Sequence, residues 1–478
     1  MDRGEAFEIL LTAIIIFSLA APFVLAQMNT VVSWDEAVYL SLARHLSQGK
    51  GYDNPYIAVD STRSPLFPST VAAINYAFGE SEVLARLISP LFGVVAFLAL
   101  YRLSGEFGLD RRERLVACAF LSANSFFLLL STRIMTDTLF IALSILAVMF
   151  IHKALKDLRL SLVASLLVGL CFLTRYTGMI FVALVVLIVL AKRQTLRLLK
   201  GKYLWLSLAL FLAVLSPWFI IGETYFGDPI GALRYGQPAP IGSTFWLMSL
   251  PQTVYYLPAL LIISLTALPL VAYGAVAMIR RRRDYGLVIF LWVALLLLFY
   301  LVTRPEATFI DRVRYLAPAL PPLSIVAGIG YSEARKSTKR QRLTLLSCLV
   351  VAAVLINLVG ELWLANSYQN YEKHRNLKLA SEFVGENAPV GSTVMSDLWP
   401  FISYYSDRPC IQFPSDAKNF IKSLNERRVS YVMVSVYYQY PSYVGDLLSN
   451  RSLLAKDFSI RSDSEDLISV YRYLGFKP

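Results

Sequence analysis

The chain has 478 residues, 56% of them hydrophobic and only 16% charged, with a mean hydropathy of +0.55. Soluble proteins average roughly 45–50% apolar and about 25% charged residues, so an ordinary soluble enzyme, a disordered chain and a fibrous repeat are excluded. The formal charge of +12 does not point to nucleic acid. Lys and Arg cluster between apolar runs, as they do in loops held on the cytoplasmic side of a membrane.

In chain order, the apolar runs predict spans near 7–28, 83–103, 115–131, 138–152, 160–174, 177–191, 203–221, 255–279, 286–303, 316–331 and 343–364, eleven in all. The first follows the mixed-charge start MDRGEAFE, which has no basic leader region or convincing cleavage site, and so reads as a signal anchor rather than a removed peptide. The fifth and sixth are short and separated by Arg175 and Tyr176. One helix across both would be roughly 48 Å long, too long for a single crossing. Lys153, Lys156 and Arg159 before the pair, with Lys192, Arg193, Arg197, Lys200 and Lys202 after it, put both flanks on one side and require a hairpin.

The same rule holds Arg111, Arg112 and Arg114, the run Arg280–Arg283, and Arg335 to Arg342 in the cytoplasm, together with the N-terminus. Eleven crossings then leave the tail outside. The expected protein is an α-helical polytopic membrane protein, multi-pass in the cell membrane, with a transmembrane domain over 1–365 and a small external α/β domain over 366–478. In the first external segment, 29–82, AVYLSLARHL and PSTVAAINYAF read as interfacial helices. In the tail, STVMSD, CIQF and SYVMVSVYY alternate with helical DAKNFIKSLNERR, the pattern of a small α/β fold. Cys118, Cys171 and Cys348 lie in apolar spans and Cys410 alone in the tail, so no disulfide framework is drawn.

The segment Ser33-Trp34-Asp35-Glu36-Ala37-Val38-Tyr39 places two acids at the opening of an apolar helix. First-turn acids complement the helix dipole and Ser33 is a ready N-cap, a purely local explanation. Other residues of the external side point further. Arg133 and Asp137 share the tight turn STRIMTD, and Arg175 sits in the equally tight TRYTG. Ionisable groups at the membrane edge snorkel, pair or face a polar cavity. Topology puts Asp35, Glu36, Asp137, Arg63, Arg133, Arg175, Arg304, Arg312 and Arg314 on one face, where a shared polar cavity would explain them together.

SWDEAVYLSLARHLSQGKGY after the first span, TRIMTD, TRYTG, Pro217-Trp218 and RVRYLAPALPPLSIVAGI, in that order, resemble the GT-C membrane glycosyltransferases, and within them the protein O-mannosyltransferase and aminoarabinose-transferase group. The likeness spans about residues 1–365. It implies an external active site with the first-loop acid as catalytic base, hence Asp35 with Glu36 beside it, and the second-turn acid at Asp137. It also implies a sugar donor linked to a polyprenyl phosphate, dolichyl or undecaprenyl. The chain lacks the large mid-chain domain of the secreted-pathway mannosyltransferases, so the acceptor stays open among lipid, glycan and protein.

The residue types suit this chemistry on their own. A carboxylate can take the proton of an acceptor hydroxyl as it attacks the anomeric carbon. Guanidinium groups can hold the departing phosphate bidentately. Arg63, Arg133 and Arg175 are the leading donor-phosphate set, with Arg304, Arg312 and Arg314 in reserve; Tyr39, Tyr235 and Trp246 are candidates for the sugar cavity, although interfacial belts use the same residue types. Three scattered histidines disfavour a zinc site. No metal or other cofactor is expected, with a divalent ion on Asp35, Glu36 and Asp137 as the alternative. Direct displacement would invert the anomeric centre. The rival class is a transporter or lipid flippase, whose site would lie near the midplane on repeated halves, and no such repeat is visible.

Overall fold

The computed structural model describes residues 3–28, 31–52, 63–191, 201–231, 260–261, 264–281, 284–303, 313–337, 340–369, 372–437, 440–462 and 465–476. They form two compact units. The first comprises Met1–Gln27, Thr62–Phe67 and Glu82–Asn366, and the second Met28–Ser61, Pro68–Ser81 and Ser367–Pro478. The connection after the first helix therefore groups with the C-terminal α/β region.

The helices, in chain order, are α1 (Arg3–Met28), α2 (Trp34–Ser47), α3 (Leu66–Phe78), α4 (Glu82–Glu106), α5 (Arg111–Ser122), α6 (Ser125–Ser131), α7 (Asp137–Ala154), α8 (Ser161–Thr174), α9 (Ile180–Ala191), α10 (Lys202–Phe226), α11 (Leu268–Arg281), α12 (Asp284–Thr303), α13 (Leu320–Ser337) and α14 (Arg340–Gln369). Each of the eleven apolar runs contains helix. Among the described residues six helices are long and apolar enough to cross a membrane, or seven if α5 and α6 count as one broken span. Helix length among the described residues does not by itself confirm the eleven crossings expected. The break has a local cause. Asn124 Oδ1 accepts the N–H groups of Phe126 and Phe127 at 3.1 and 3.2 Å, so an N-cap restarts the helix inside the apolar run at a bend of 62°.

In the first unit α7 packs against α4 and α8, α5 against α13, and α11 against α13. The last pair meets through Gly274 and Gly330, where a Cβ would collide with the carbonyl oxygens of Val326 and Leu270. Small residues at a crossing let backbones approach, the usual basis of helix packing in a membrane. Phe127, Phe140, Phe181 and Trp292 are fully buried, with Phe181 edge-on to Trp292 at 5.9 Å. Outward-facing Ile16, Ile220 and Phe290 are exposed, as lipid-facing residues would be.

In the second unit α15 (Glu372–Asn387) leads into β1 (Thr393–Met395), α16 (Trp399–Ser406), β2 (Cys410–Ile411), α17 (Ala417–Glu426), β3 (Val429–Ser435), α18 (Ser442–Leu448), β4 (Leu454–Arg461) and β5 (Asp466–Tyr473). The sheet order is β2-β1-β3-β5-β4, with β2, β1 and β3 parallel and β5 antiparallel to both β3 and β4. Met395, Phe420, Leu424, Val432 and Leu454 lie in its core. The α/β alternation expected from the tail is present, and the closing β4–β5 hairpin extends it.

Candidate active site

The first unit brings three of the expected residues together. Asp137 opens α7 behind Thr136 and is almost wholly buried. One carboxylate oxygen accepts from the Arg175 guanidinium, and the other from Arg314 Nε at 3.2 Å. Both arginine side chains retain 13–16% exposure. A carboxylate in the first turn is favoured by the α7 dipole, and charge-assisted bonds to guanidinium are among the stronger hydrogen bonds.

Local backbone explains why Arg175 can reach. It ends α8 in an extended conformation, φ −152° and ψ 136°, and a single 3-10 turn over Tyr176–Met179 follows. Gly178 N–H returns to Arg175 O at 2.8 Å. A Cβ on Gly178 would lie 2.5 Å from the Cys171 carbonyl carbon, so the TRYTG turn closes only because that position is glycine. Arg314 arrives from the described segment just before Ala317–Ala319, in RVRYLAPALPPL.

Two tyrosines complete the cluster, and sequence reasoning missed both. The Arg175 and Arg314 guanidinium carbons lie 5.6 and 6.0 Å from the Tyr315 ring centroid, within cation–π range. Tyr315 in turn stacks on Tyr300 at 5.5 Å and 11°. The Tyr300 hydroxyl pairs with Thr177 Oγ1 at 3.0 Å, tying α12 to the turn that carries Arg175. The only signal in the sequence was the adjacency of Tyr315 to Arg314.

Arg133 is buried in the turn between α6 and α7, whose backbone is anchored by the Ser89 hydroxyl donating to Arg133 O. Arg63 is half-buried at the start of the described segment before α3. Arg314, held in reserve, directly engages Asp137. Arg304, Arg312, Tyr235 and Trp246 lie outside the described residues.

In the second unit, Asp35 and Glu36 occupy the first turn of α2. Glu36 is fully buried, and its Oε2 accepts the Ser33 N–H at 2.6 Å, the carboxylate half of a capping box. Asp35, one residue earlier, is half-buried, and Tyr39 lies buried one turn on. The turn is fixed from both sides. Trp34 meets Trp399 and Phe401 edge-on at 5.7 and 5.9 Å, and Val32 N–H donates to the Tyr405 hydroxyl at 3.0 Å.

The far end of α2 is anchored as well. Arg44 forks onto Glu80, with Nε at 2.9 and 3.0 Å from its two oxygens, and donates through Nη1 to Tyr404 O at 3.1 Å. Burial lowers the Arg44 pKa, but the hydrogen bond and charge of Glu80 outweigh it, and the net shift is upward. Among the described residues no group of three or more His, Cys, Asp or Glu side chains is arranged to hold a metal ion.

Residues 62–221 match the family model for dolichyl-phosphate-mannose-protein mannosyltransferase. The crystal structure of ArnT from Cupriavidus metallidurans bound to undecaprenyl phosphate is similar over 98% of each chain, with a TM-score of 0.69 at 14% identity. The fold is similar to that of ArnT. Arabinofuranosyltransferase AftD from Mycobacteria is similar over 96% of this chain and 40% of its own, with a TM-score of 0.59 at 14% identity. No curated protein matches the chain by sequence. The chain thus resembles the O-mannosyltransferase and aminoarabinose-transferase group in a matched region and in overall fold.

Proposed function

We propose that the chain is a membrane glycosyltransferase that moves one sugar from a polyprenyl phosphate donor to an acceptor hydroxyl on the external face, with inversion. The observation that carries the reading is the Asp137–Arg175–Arg314 cluster, found in a fold shared with a protein whose crystal structure holds undecaprenyl phosphate. In this reading Asp137 is a positioning residue. With each oxygen engaged by a guanidinium, it orients two planar forks that can bind a phosphate monoester.

Asp35 is the proposed base. Its carboxylate takes the proton of the acceptor hydroxyl as that oxygen bonds to the anomeric carbon. The bond from the anomeric carbon to phosphate oxygen breaks on the opposite side, and the lipid phosphate leaves with the electron pair. Arg175 and Arg314, with Arg63 and Arg133 as further candidates, stabilise its growing charge. The N-terminus and the 333–342 loop are assigned to the cytoplasm and 366–478 to the outside, the orientation favoured by the basic loops. No metal is assigned a role.

The test is release of polyprenyl phosphate from a panel of lipid-linked sugars by the purified full chain. Catalytic turnover with any donor supports the reading. No turnover, with donor carried across proteoliposomes instead, favours a transporter. Orientation is checked with single cysteines in 333–337 and in the tail, probed by an impermeant thiol reagent in intact cells. Labelling of the loop with protection of the tail reverses the orientation.

A further inference from the structure

The sheet of the second unit has a place where its strand order reverses. From β1 the chain passes to β2 on one side and then crosses to β3 on the other, and the three strands are parallel. Open α/β sheets bind ligands in the crevice beyond the carboxyl ends of their strands at such a switch point. Asp397, just past β1, accepts the Phe413 N–H from just past β2 at 3.3 Å. Phe413 meets Tyr440, from beyond β3, at 6.3 Å between ring centroids, so rings from two connections meet beside the carboxylate that follows the strand between them. Tyr443 packs edge-on against Phe420, beneath Phe413.

Asp397 accepts no second hydrogen bond among the described residues, and Phe413 is only partly buried while Tyr440 is 37% exposed. Burial raises the Asp397 pKa above its ordinary value, and the Phe413 N–H offsets only part of the shift. A half-buried carboxylate with one donor has acceptor capacity to offer, and the neighbouring rings present apolar area beside it.

We propose that this crevice binds carbohydrate, with sugar hydroxyls donating to Asp397 and a pyranose or furanose face resting on Tyr440 and Phe413. Carbohydrate is the ligand that combines both demands, dense vicinal hydroxyls and an apolar C–H face. The proposal rests on the glycosyltransferase reading only in naming the bound glycan as acceptor; the binding itself requires no donor.

The experiment titrates the purified full chain, in nanodiscs and without donor, with mannotriose, arabinofuranotriose and galactotriose. Saturable binding of at least one is expected. Asp397→Asn keeps an oxygen for the Phe413 N–H but loses the charge, and should weaken binding about tenfold or more. Tyr440→Ala should do the same, while Tyr440→Phe, which keeps the ring, should bind within about threefold of wild type. Saturable binding lost in both weakening variants, at unchanged melting temperature, supports the site. No binding of any trisaccharide, or equal binding by all three variants and wild type, overturns it. Polyprenyl phosphate release by the wild-type chain judges the glycosyltransferase reading separately, so failure of one is distinguishable from failure of the other.

Discussion

The two acidic turns of this protein set their carboxylates in different surroundings. In the first unit Asp137 is almost fully buried with a guanidinium on each oxygen, so a charged residue is retained by neutralising partners from two distant parts of the chain. In the second unit the adjacent acids Asp35 and Glu36 share one helix turn: Glu36 closes the helix start through Ser33, and half-buried Asp35 sits on a turn braced by Trp34 against Trp399 and Phe401. A carboxylate locked between arginines is suited to positioning, and one on a braced turn with residual exposure to proton transfer. Under the proposed function these residues, which look equivalent in the sequence, take different roles.

The largest expected effect tests that assignment directly. Asp35→Asn preserves shape and removes basicity, and turnover should fall by roughly 10²–10⁴-fold while donor affinity changes much less. The measurement is single-turnover release of polyprenyl phosphate beside donor binding. Near-normal turnover in a folded variant would remove Asp35 from the chemistry and erase the contrast.

Asp137→Asn should behave differently, losing stability together with activity. Removing one member of a buried ion cluster leaves the others uncompensated, which costs about 3–5 kcal/mol; partial exposure of Arg175 and Arg314 favours the lower end of that range. Denaturation of the detergent-solubilised chain measures it. A variant as stable as wild type but without turnover would make Asp137 a reacting group rather than a positioning one.

Much of this was legible in the sequence, for identifiable reasons. Apolar runs report the helices of the membrane-type fold because their physics is one-dimensional. The acids and arginines stood out because ionisable groups at a membrane edge need an explanation. What could not be read was partnership. Arg314 lies 177 positions from Asp137, and no local pattern ranks it above Arg133. Tyr300 and Tyr315 were not singled out, since stacking across separate elements leaves no periodic trace. The break at Asn124 was hidden inside an apolar run by a single capping residue, and the β4–β5 hairpin by the charged residues between its apolar positions.

Arginine-to-lysine replacements sharpen the comparison within the first unit. Lysine keeps the charge and loses the planar fork that spans a carboxylate and the ring of Tyr315. Arg175→Lys and Arg314→Lys should each lower turnover by about 10–100-fold, an expected loss of roughly 1.5–3 kcal/mol of charge-assisted hydrogen bonding. The comparison is kcat and donor KM at matched melting temperature. Equal tolerance of lysine at both positions would reduce the pair to simple counter-charges for Asp137.

The smallest effect separates the neighbours in the second unit. If Glu36 serves the helix start, what matters is an acceptor for the Ser33 N–H, and glutamine supplies one; Glu36→Gln should stay within a few tenths of a kcal/mol of wild type and retain most of its turnover. Glu36→Ala leaves a buried donor without its partner and should cost about 1 kcal/mol, read as a lower melting temperature with turnover reduced only in proportion to unfolded protein. The glutamine variant is decisive because it keeps the hydrogen bond and removes the charge. Were its turnover to fall as far as that of Asp35→Asn, the proton would be going to Glu36, and the capping bond to Ser33 would be what orients the base.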